Sequence, residues 1–178
     1  CIDGKEYTPT KIATEEELEN IVLENQAAIF PNFLLFETKS SAETKITGER
    51  THCDLCLVSK TCEQWFIIEV EIQKGDGYTR GHIQKQLAKQ SDADWSSLVT
   101  EMQTRMKKAG ASKETTSRLD KVDPGLMLII DEKSSMVERV CDTYDFILAE
   151  LQPMSDGRGN MAIRVKDRSS LPSFDSGE

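Results

Sequence analysis

The chain has 178 residues, with 22 Lys and Arg against 31 Asp and Glu, so its formal net charge is −9. Hydrophobic residues make up 38% of it, enough for the core of one domain, and no apolar run is long enough to span a membrane. An acidic balance argues against a general polyanion binder, because neutralising phosphates requires clustered Lys and Arg. The chain begins at Cys1 and shows no signal-peptide pattern. We therefore expect a cytoplasmic protein, trimmed from a longer chain.

A helix followed by three strands is predicted for the N-terminal part. Thr14 and Glu17 have capping-box spacing, in which Thr14 caps the helix and Glu17 reaches back to its amide. Apolar residues at helical spacing extend this helix to the proline at position 31, which ends it. The three strands are predicted at Phe33–Thr38, His52–Val58 and Gln64–Gln73.

The C-terminal part alternates helices and strands after a turn at Gly75-Asp76-Gly77. The predicted elements are helices at Thr79–Lys89 and Trp95–Lys108, a strand at Leu126–Ile130, a helix at Ser134–Asp145 and a hairpin formed by Phe146–Leu151 and Met161–Val165. This order predicts an α/β fold with a mixed sheet flanked by helices. We expect a single domain over residues 1–165, with 166–178 as a polar tail or linker.

The third predicted strand carries the strongest pattern, because alternation separates its residues into two faces. One face is apolar: Phe66, Ile68, Val70 and Ile72. The other face carries Ile67, Glu69, Glu71 and Gln73. Burying two carboxylates together is costly unless a cation lies between them, and Mg²⁺ or Mn²⁺ prefers carboxylate oxygens. A solvent-exposed face would give the same alternation, so this pattern alone leaves both interpretations open.

An acid in the preceding strand favours the metal interpretation. Asp54 lies among Cys53, Leu55 and other apolar residues, although Asp is depleted in strands. If the two strands pair as neighbours, Asp54 can lie beside Glu69 on the same face. With Glu71, three carboxylates would then converge, and the sequence predicts a divalent-metal site there.

Asp54 on one strand, followed by Glu69-Val70-Glu71 on the next, resembles the motif of the PD-(D/E)XK nuclease superfamily. His82 and Gln86 on the following helix make it similar to one prokaryotic branch. The similarity spans residues 15–87 and extends loosely to the strand at 126–130. It implies a restriction-endonuclease-like α-β-β-β-α-β core and an endonuclease that hydrolyses phosphodiester bonds, most readily in DNA, with Mg²⁺ or Mn²⁺.

The resemblance also implies roles for individual residues. Asp54 and Glu69 would hold the metal, with the Val70 carbonyl and Glu15 of the first helix as further ligands. An acidic first turn also favours the helix dipole, which is an equally good reason for Glu15.

The position after Val70 departs from the superfamily, which has a lysine there that orients and activates the attacking water. Glu71 would instead bind the ion or accept the proton of the water. Gln86 matches the superfamily's helix position, and Lys85 could replace the missing lysine. The stripe that they form with His82 and Lys89 could also be a solvated face.

Two other functions remain open. A non-catalytic binding module that keeps the nuclease fold is favoured by the missing lysine and the acidic balance. A zinc site is the second: the ligands would be His52, Cys53, Cys56 and Cys62. Strand alternation should direct Cys53 and Cys56 to opposite faces, which favours structural cysteines.

Charge by segment restricts where nucleic acid could bind. Residues 1–50 carry ten acids and five bases, whereas residues 79–122 carry nine bases and five acids. The basic segment begins at the helix beside the predicted metal site, so a phosphate backbone could lie on that one face. No recognition motif is present, and we expect either a homodimer or a recognition domain in flanking sequence.

Overall fold

The computed structural model describes residues 6–38, 40–73 and 80–172. The predicted α/β class with a mixed sheet and flanking helices is confirmed. The helices are α1 (Glu15–Glu24), α2 (Gln26–Ile29), α3 (Arg80–Ser91), α4 (Ser96–Lys108), α5 (Lys113–Thr116) and α6 (Ser135–Tyr144). The strands are β1 (Thr8–Pro9), β2 (Phe33–Glu37), β3 (Ser41–Thr44), β4 (Arg50–His52), β5 (Leu55–Ser59), β6 (Trp65–Glu71), β7 (Ala93–Asp94), β8 (Gly125–Ile130), β9 (Phe146–Ser155) and β10 (Met161–Val165).

The larger sheet has the strand order β2-β5-β6-β8-β9-β1, and β10 also pairs with β9. Strands β2, β5 and β6 are joined by antiparallel pairing, whereas β6, β8 and β9 run parallel to one another. The chain between β6 and β8 includes α3 and α4, as a parallel crossover requires. β6 is therefore an interior strand with a neighbour on each side.

The predicted second strand is wrong in its extent, because the chain bends at Asp54. Arg50–His52 forms β4 in a separate sheet with the order β4-β3-β7, and Leu55–Ser59 forms β5 in the larger sheet. Asp54 thus lies between two sheets and not within one strand. Its backbone amide still donates to the Ile68 carbonyl of β6 at 3.2 Å.

The first helix begins as predicted and ends early. The Thr14 hydroxyl accepts from the Glu17 amide at 3.1 Å, but the Glu17 carboxylate accepts from the amide of Ala13 and not from that of Thr14. The helix breaks at Asn25, whose side chain donates to the Ile21 carbonyl at 2.7 Å. α2 continues the chain to the predicted end before Pro31.

Apolar side chains cover both faces of β6. Ile68 and Val70 pack against Leu18 and Val22 of α1 in one core cluster. On the opposite face, Ile67 belongs to a second cluster, which includes these α4 residues: Leu98, Met102 and Met106. A third cluster joins α3 and α6 to β8. A central strand covered in this way has no solvent-facing side.

The remaining predicted elements agree with the structure to within a few residues, apart from β9, which runs four residues further than expected. The predicted turn at Gly75-Asp76-Gly77 and the start of the next helix at Thr79 lie outside the described residues. After Lys166, Leu171 joins the first core cluster, and the Arg168 guanidinium donates to the Ala28 carbonyl at 3.0 Å. Within the described residues, no helix combines the length and apolar character needed to cross a membrane.

Candidate functional site

Strand pairing brings Asp54 beside Glu69. The β5–β6 ladder ends at the Leu55–Ile68 pair, and the amide of Asp54, the residue before Leu55, donates to the same Ile68 carbonyl at 3.2 Å. The Asp54 carboxylate accepts a hydrogen bond from the Val70 amide at 2.8 Å. This bond fixes the carboxylate against the backbone of β6, at the position that the sequence predicts for a metal ligand.

Glu69 and Glu71 are both buried, each with only 4% of its surface exposed. The alternative of a solvent-exposed face is therefore wrong, because α3 covers this part of the strand. On the parallel neighbour β8, their register partners are Leu128 and Ile130, which are fully buried and apolar. Two carboxylates thus lie under a helix, beside a hydrophobic strand.

Glu69 and Asp54 hold their protons more tightly than usual. Burial raises the pKa of Glu69 well above its ordinary value, and the charge of Asp54 raises it further. A hydrogen bond from Gln90 opposes this shift. The pKa of Asp54 is also raised, first by burial, although the bond from the Val70 amide lowers it. Burial is the largest cause of both shifts, and repulsion from neighbouring acids adds to it.

Helix α1 adds two further acids. The predicted ligand Glu15 is partly buried, and its charge raises the pKa of both Asp54 and Glu69. Glu19, one turn further along the same helix, was not predicted. Its pKa is raised to about 7, by burial first and by the charge of Asp54 second. The sequence could have identified Glu19, because its position between the core residues Leu18 and Val22 places it beside the packed face of the helix.

Helix α3 supplies the partners of the two strand carboxylates. Gln90, which is 1% exposed, donates through Nε2 to the Glu69 carboxylate and to the His52 carbonyl, the latter at 2.9 Å. His82 Nε2 lies 3.6 Å from Glu71 Oε1. Gln86 is one turn from each of them and is partly buried. Gln90 was missed because helical spacing shows which residues share a face, but not which strand that face meets.

The lysines of α3 lie toward a different acid. Lys89 Nζ is 2.5 Å from a Glu49 carboxylate oxygen, and Lys85 is exposed, with its charge also acting on Glu49. The predicted stripe therefore divides into two sides: His82 lies toward Glu71 of β6, whereas the two lysines lie toward Glu49 in the β3–β4 connection. Lys85 is accordingly in a poor position to replace a lysine at position 71.

The cysteines near Asp54 share one environment. Cys53, Cys56 and Cys62 are free, buried and part of the second core cluster. The expectation that Cys53 and Cys56 point to opposite faces is wrong, because the bend at Asp54 interrupts the alternation. Burial raises the pKa of all three thiols. His52 is exposed, so this fourth candidate zinc ligand lies outside the apolar cluster.

The chemistry of the acid cluster fits a divalent ion that keeps part of its water shell. Within residues 6–38, 40–73 and 80–172, no three His, Cys, Asp or Glu side chains are arranged to hold a metal ion. Mg²⁺, however, commonly binds through one or two carboxylates and fills its other positions with water. Asp54 and Glu69 provide such a pair, and the repulsion between them is what a cation would relieve.

Comparisons with known proteins found no matching family model, curated protein or solved structure for this chain.

Proposed function

We propose that this protein is a metal-dependent nuclease that hydrolyses phosphodiester bonds, most readily those of DNA. The observation that carries the proposal is that Asp54 lies against β6, where its carboxylate bonds to the Val70 amide and its charge raises the pKa of the buried Glu69. Such a cluster is unfavourable by itself, and proteins retain perturbed carboxylates chiefly where they bind or react.

The order of the elements supports the restriction-endonuclease-like core that the motif implies. Along the chain, α1, β2, β5, β6, α3 and β8 follow the order α-β-β-β-α-β, with β6 and β8 parallel. Glu69 lies on the third strand of this series, Asp54 lies at the bend that precedes the second, and the helix after them covers the site. Strands β3 and β4 of the small sheet are inserted between the first and second strands of the series, and β7 joins them from the chain after α3.

In this proposal Asp54 and Glu69 hold Mg²⁺ or Mn²⁺, with the Val70 carbonyl and Glu15 as further ligands. When bound, the ion lowers the pKa of a coordinated water and stabilises charge on the phosphate. Glu71 accepts a proton or contributes to ion binding, since it cannot supply the positive charge of a lysine.

The α3 residues and the basic segment complete the proposed substrate site. Gln86 orients groups from the helix side, and Lys85, which is exposed, contacts the phosphate backbone rather than the reacting water. The backbone of the nucleic acid lies along residues 79–122, where bases outnumber acids. A homodimer or a flanking domain would supply the sequence recognition.

Cleavage assays test this function directly. Supercoiled DNA, single-stranded DNA and RNA are incubated with the protein and Mg²⁺ or Mn²⁺. Asp54→Asn and Glu69→Gln should each reduce the cleavage rate by at least about 100-fold, because each removes a proposed metal ligand. Glu24→Gln, an exposed change on α1, is the matched control and should cleave at the wild-type rate. The proposal fails if no nucleic acid is cleaved, or if Glu69→Gln equals the control.

A non-catalytic binding module with the same fold is the second candidate. It is favoured by Glu71, which occupies the lysine position and has His82 within 3.6 Å. This candidate predicts no Mn²⁺ binding that depends on Asp54 and Glu69. Calorimetry on the wild-type protein and on Asp54→Asn separates the two, because the nuclease requires binding that the substitution weakens.

A further inference from the structure

Positive charge is concentrated at the end of α4 and in the short helices that follow it. Residues 102–119 carry five bases and one acid, although the whole chain has 22 bases and 31 acids. The bases are Arg105, Lys107, Lys108, Lys113 and Arg118, and the acid is Glu114. A basic patch on an otherwise acidic protein is the charge pattern of a surface that binds a polyanion.

Three of these five bases have no acid to neutralise them. Arg105 and Arg118 are each paired with a glutamate, at N···O distances of 2.5 and 2.6 Å. Lys107, Lys108 and Lys113 are exposed, and among the residues that the structure describes none of them forms an ion pair. We call these three lysines the basic corner, because they lie on the two sides of the turn that joins α4 to α5.

The backbone of the basic corner is held by hydrogen bonds within this turn. Gly110 has a φ of +99°, in the left-handed region that glycine adopts easily, and its amide donates to the Lys107 carbonyl at 3.0 Å. The Ser112 hydroxyl caps α5 by accepting from the Thr115 amide at 3.0 Å. A partner therefore meets a surface whose backbone is already in place, which lowers the entropy cost of binding.

The surface of the corner is open, and its composition selects one kind of partner. Ala109 and Gly110 are exposed, and a Cβ added at Gly110 would meet no atom within 4 Å. The large apolar residues of the segment are buried in the second core cluster: Met102, Met106 and Leu119. A phosphate backbone requires positive charge alone, whereas membranes and protein interfaces also require exposed apolar or aromatic anchors. The corner therefore fits nucleic acid best.

One side chain connects the end of α4 with the surroundings of the candidate metal site. The Arg105 guanidinium donates to the Glu37 carbonyl at 2.8 Å, at the end of β2. The amide of the following residue, Thr38, donates to the Asp54 carbonyl at 3.1 Å. Because Arg105 precedes Lys108 by less than one turn of helix, the basic corner and Asp54 are attached to the same end of β2.

We propose that the basic corner is a docking surface for the phosphate backbone of nucleic acid, outside the metal site. The inference rests on the proposed function for the identity of this partner. The corner contacts phosphates and reads no bases, so it positions the substrate without selecting its sequence. It differs from Lys89 of α3, whose charge is already paired with Glu49.

Fluorescence anisotropy with a labelled DNA duplex tests the basic corner. The full chain is measured in EDTA, which separates binding from cleavage. Combining Lys107→Gln, Lys108→Gln and Lys113→Gln should weaken binding at low salt by at least about 10-fold. The slope of log affinity against log salt should fall by about one for each lysine, because fewer counterions are released. Arginine at the same three positions keeps the charge and should bind like the wild type.

The matched control removes the same charge from the opposite edge of the sheet. It combines Lys11→Gln, Arg164→Gln and Lys166→Gln, which change exposed residues beside or within β1 and β10. This control should bind the duplex like the wild type. The inference is overturned if the corner variant binds like the control, or if the wild type does not bind the duplex. Tighter binding of the wild type to phosphatidylserine vesicles than to the duplex would overturn it too.

Cleavage assays on the same proteins separate this inference from the proposed function. If binding depends on the basic corner but no nucleic acid is cleaved with Mg²⁺ or Mn²⁺, the proposed function fails and the docking surface stands. If cleavage occurs and the corner variant binds like the control, the docking surface fails and the proposed function stands.

Discussion

The two faces of β6 are both buried, but they carry opposite kinds of side chain. Toward α1 it presents apolar side chains, including Ile68 and Val70, which pack in a cluster of like residues. Toward α3 it presents Glu69 and Glu71, which are equally well buried but are held by polar partners. Neighbouring residues on one strand thus contribute to the folding free energy with opposite signs, since the apolar face stabilises the fold and the acidic face destabilises it.

The largest effect is expected on the apolar face. Ile68→Ala removes a fully buried side chain and should lower the free energy of unfolding by about 2–5 kcal/mol, measured by urea denaturation. Glu69→Gln, one residue away, should raise it at pH 8 in metal-free buffer, because the native state no longer holds a buried charge beside Asp54. If both substitutions lowered the free energy of unfolding equally, the conclusion that only the apolar face stabilises the fold would be contradicted.

A smaller loss is expected at the polar partner of Glu69. Gln90→Leu removes the donor to the Glu69 carboxylate and to the His52 carbonyl, and it should lower the free energy of unfolding by about 1–3 kcal/mol. Gln84→Leu changes an exposed residue of the same helix and serves as the control. If both variants unfold at the same urea concentration, the bonds of Gln90 contribute nothing to stability.

The smallest effect concerns Glu19 and pH. Its pKa is about 7 in the folded protein against an ordinary 4.5, so the native state binds the proton more tightly than the unfolded state. Stability should therefore fall as the pH rises from about 4.5 to about 7. Glu19→Gln should recover about 1 kcal/mol at pH 8, a figure reduced for solvent screening at this half-buried group.

Urea denaturation at pH 5 and pH 8 measures this gain. Glu24→Gln, an exposed acid of the same helix, should show none of it. A gain for Glu19→Gln that is the same at both pH values would show that Glu19 does not titrate between them.

The sequence predicted secondary structure well where that structure depends on residues close together in the chain. The Thr14 cap depends on residues within one turn, and the alternation in β6 depends only on neighbours along the strand. The bend at Asp54 could not be predicted in this way, because it depends on pairing with β6 and with β2. The Thr38 amide and the Ile68 carbonyl hold the backbone there, from two different parts of the chain.

The sequence predicted that Asp54 lies close to Glu69, but it missed residues that the helices bring to the same place. These two acids are close because β5 pairs with β6 and because Asp54 bonds to the Ile68 carbonyl and the Val70 amide. Predicting Glu19 and Gln90 would have required the angles at which α1 and α3 pack on the sheet. The periodicity of a single helix does not give these angles. The same angle decides where Lys85 lies, and its charge acts on Glu49.

The three hydrogen bonds that hold Asp54 in place do not depend on the charge of its side chain. Its amide, its carbonyl and one carboxylate oxygen bond to Ile68, Thr38 and Val70. An asparagine could keep all three bonds, because its side-chain oxygen can accept from the Val70 amide as well. A descendant of this chain could therefore lose the charge at position 54 in a single step and still fold. A protein with Asn at this position would keep the fold without the charged metal ligand, and it could then evolve a different function.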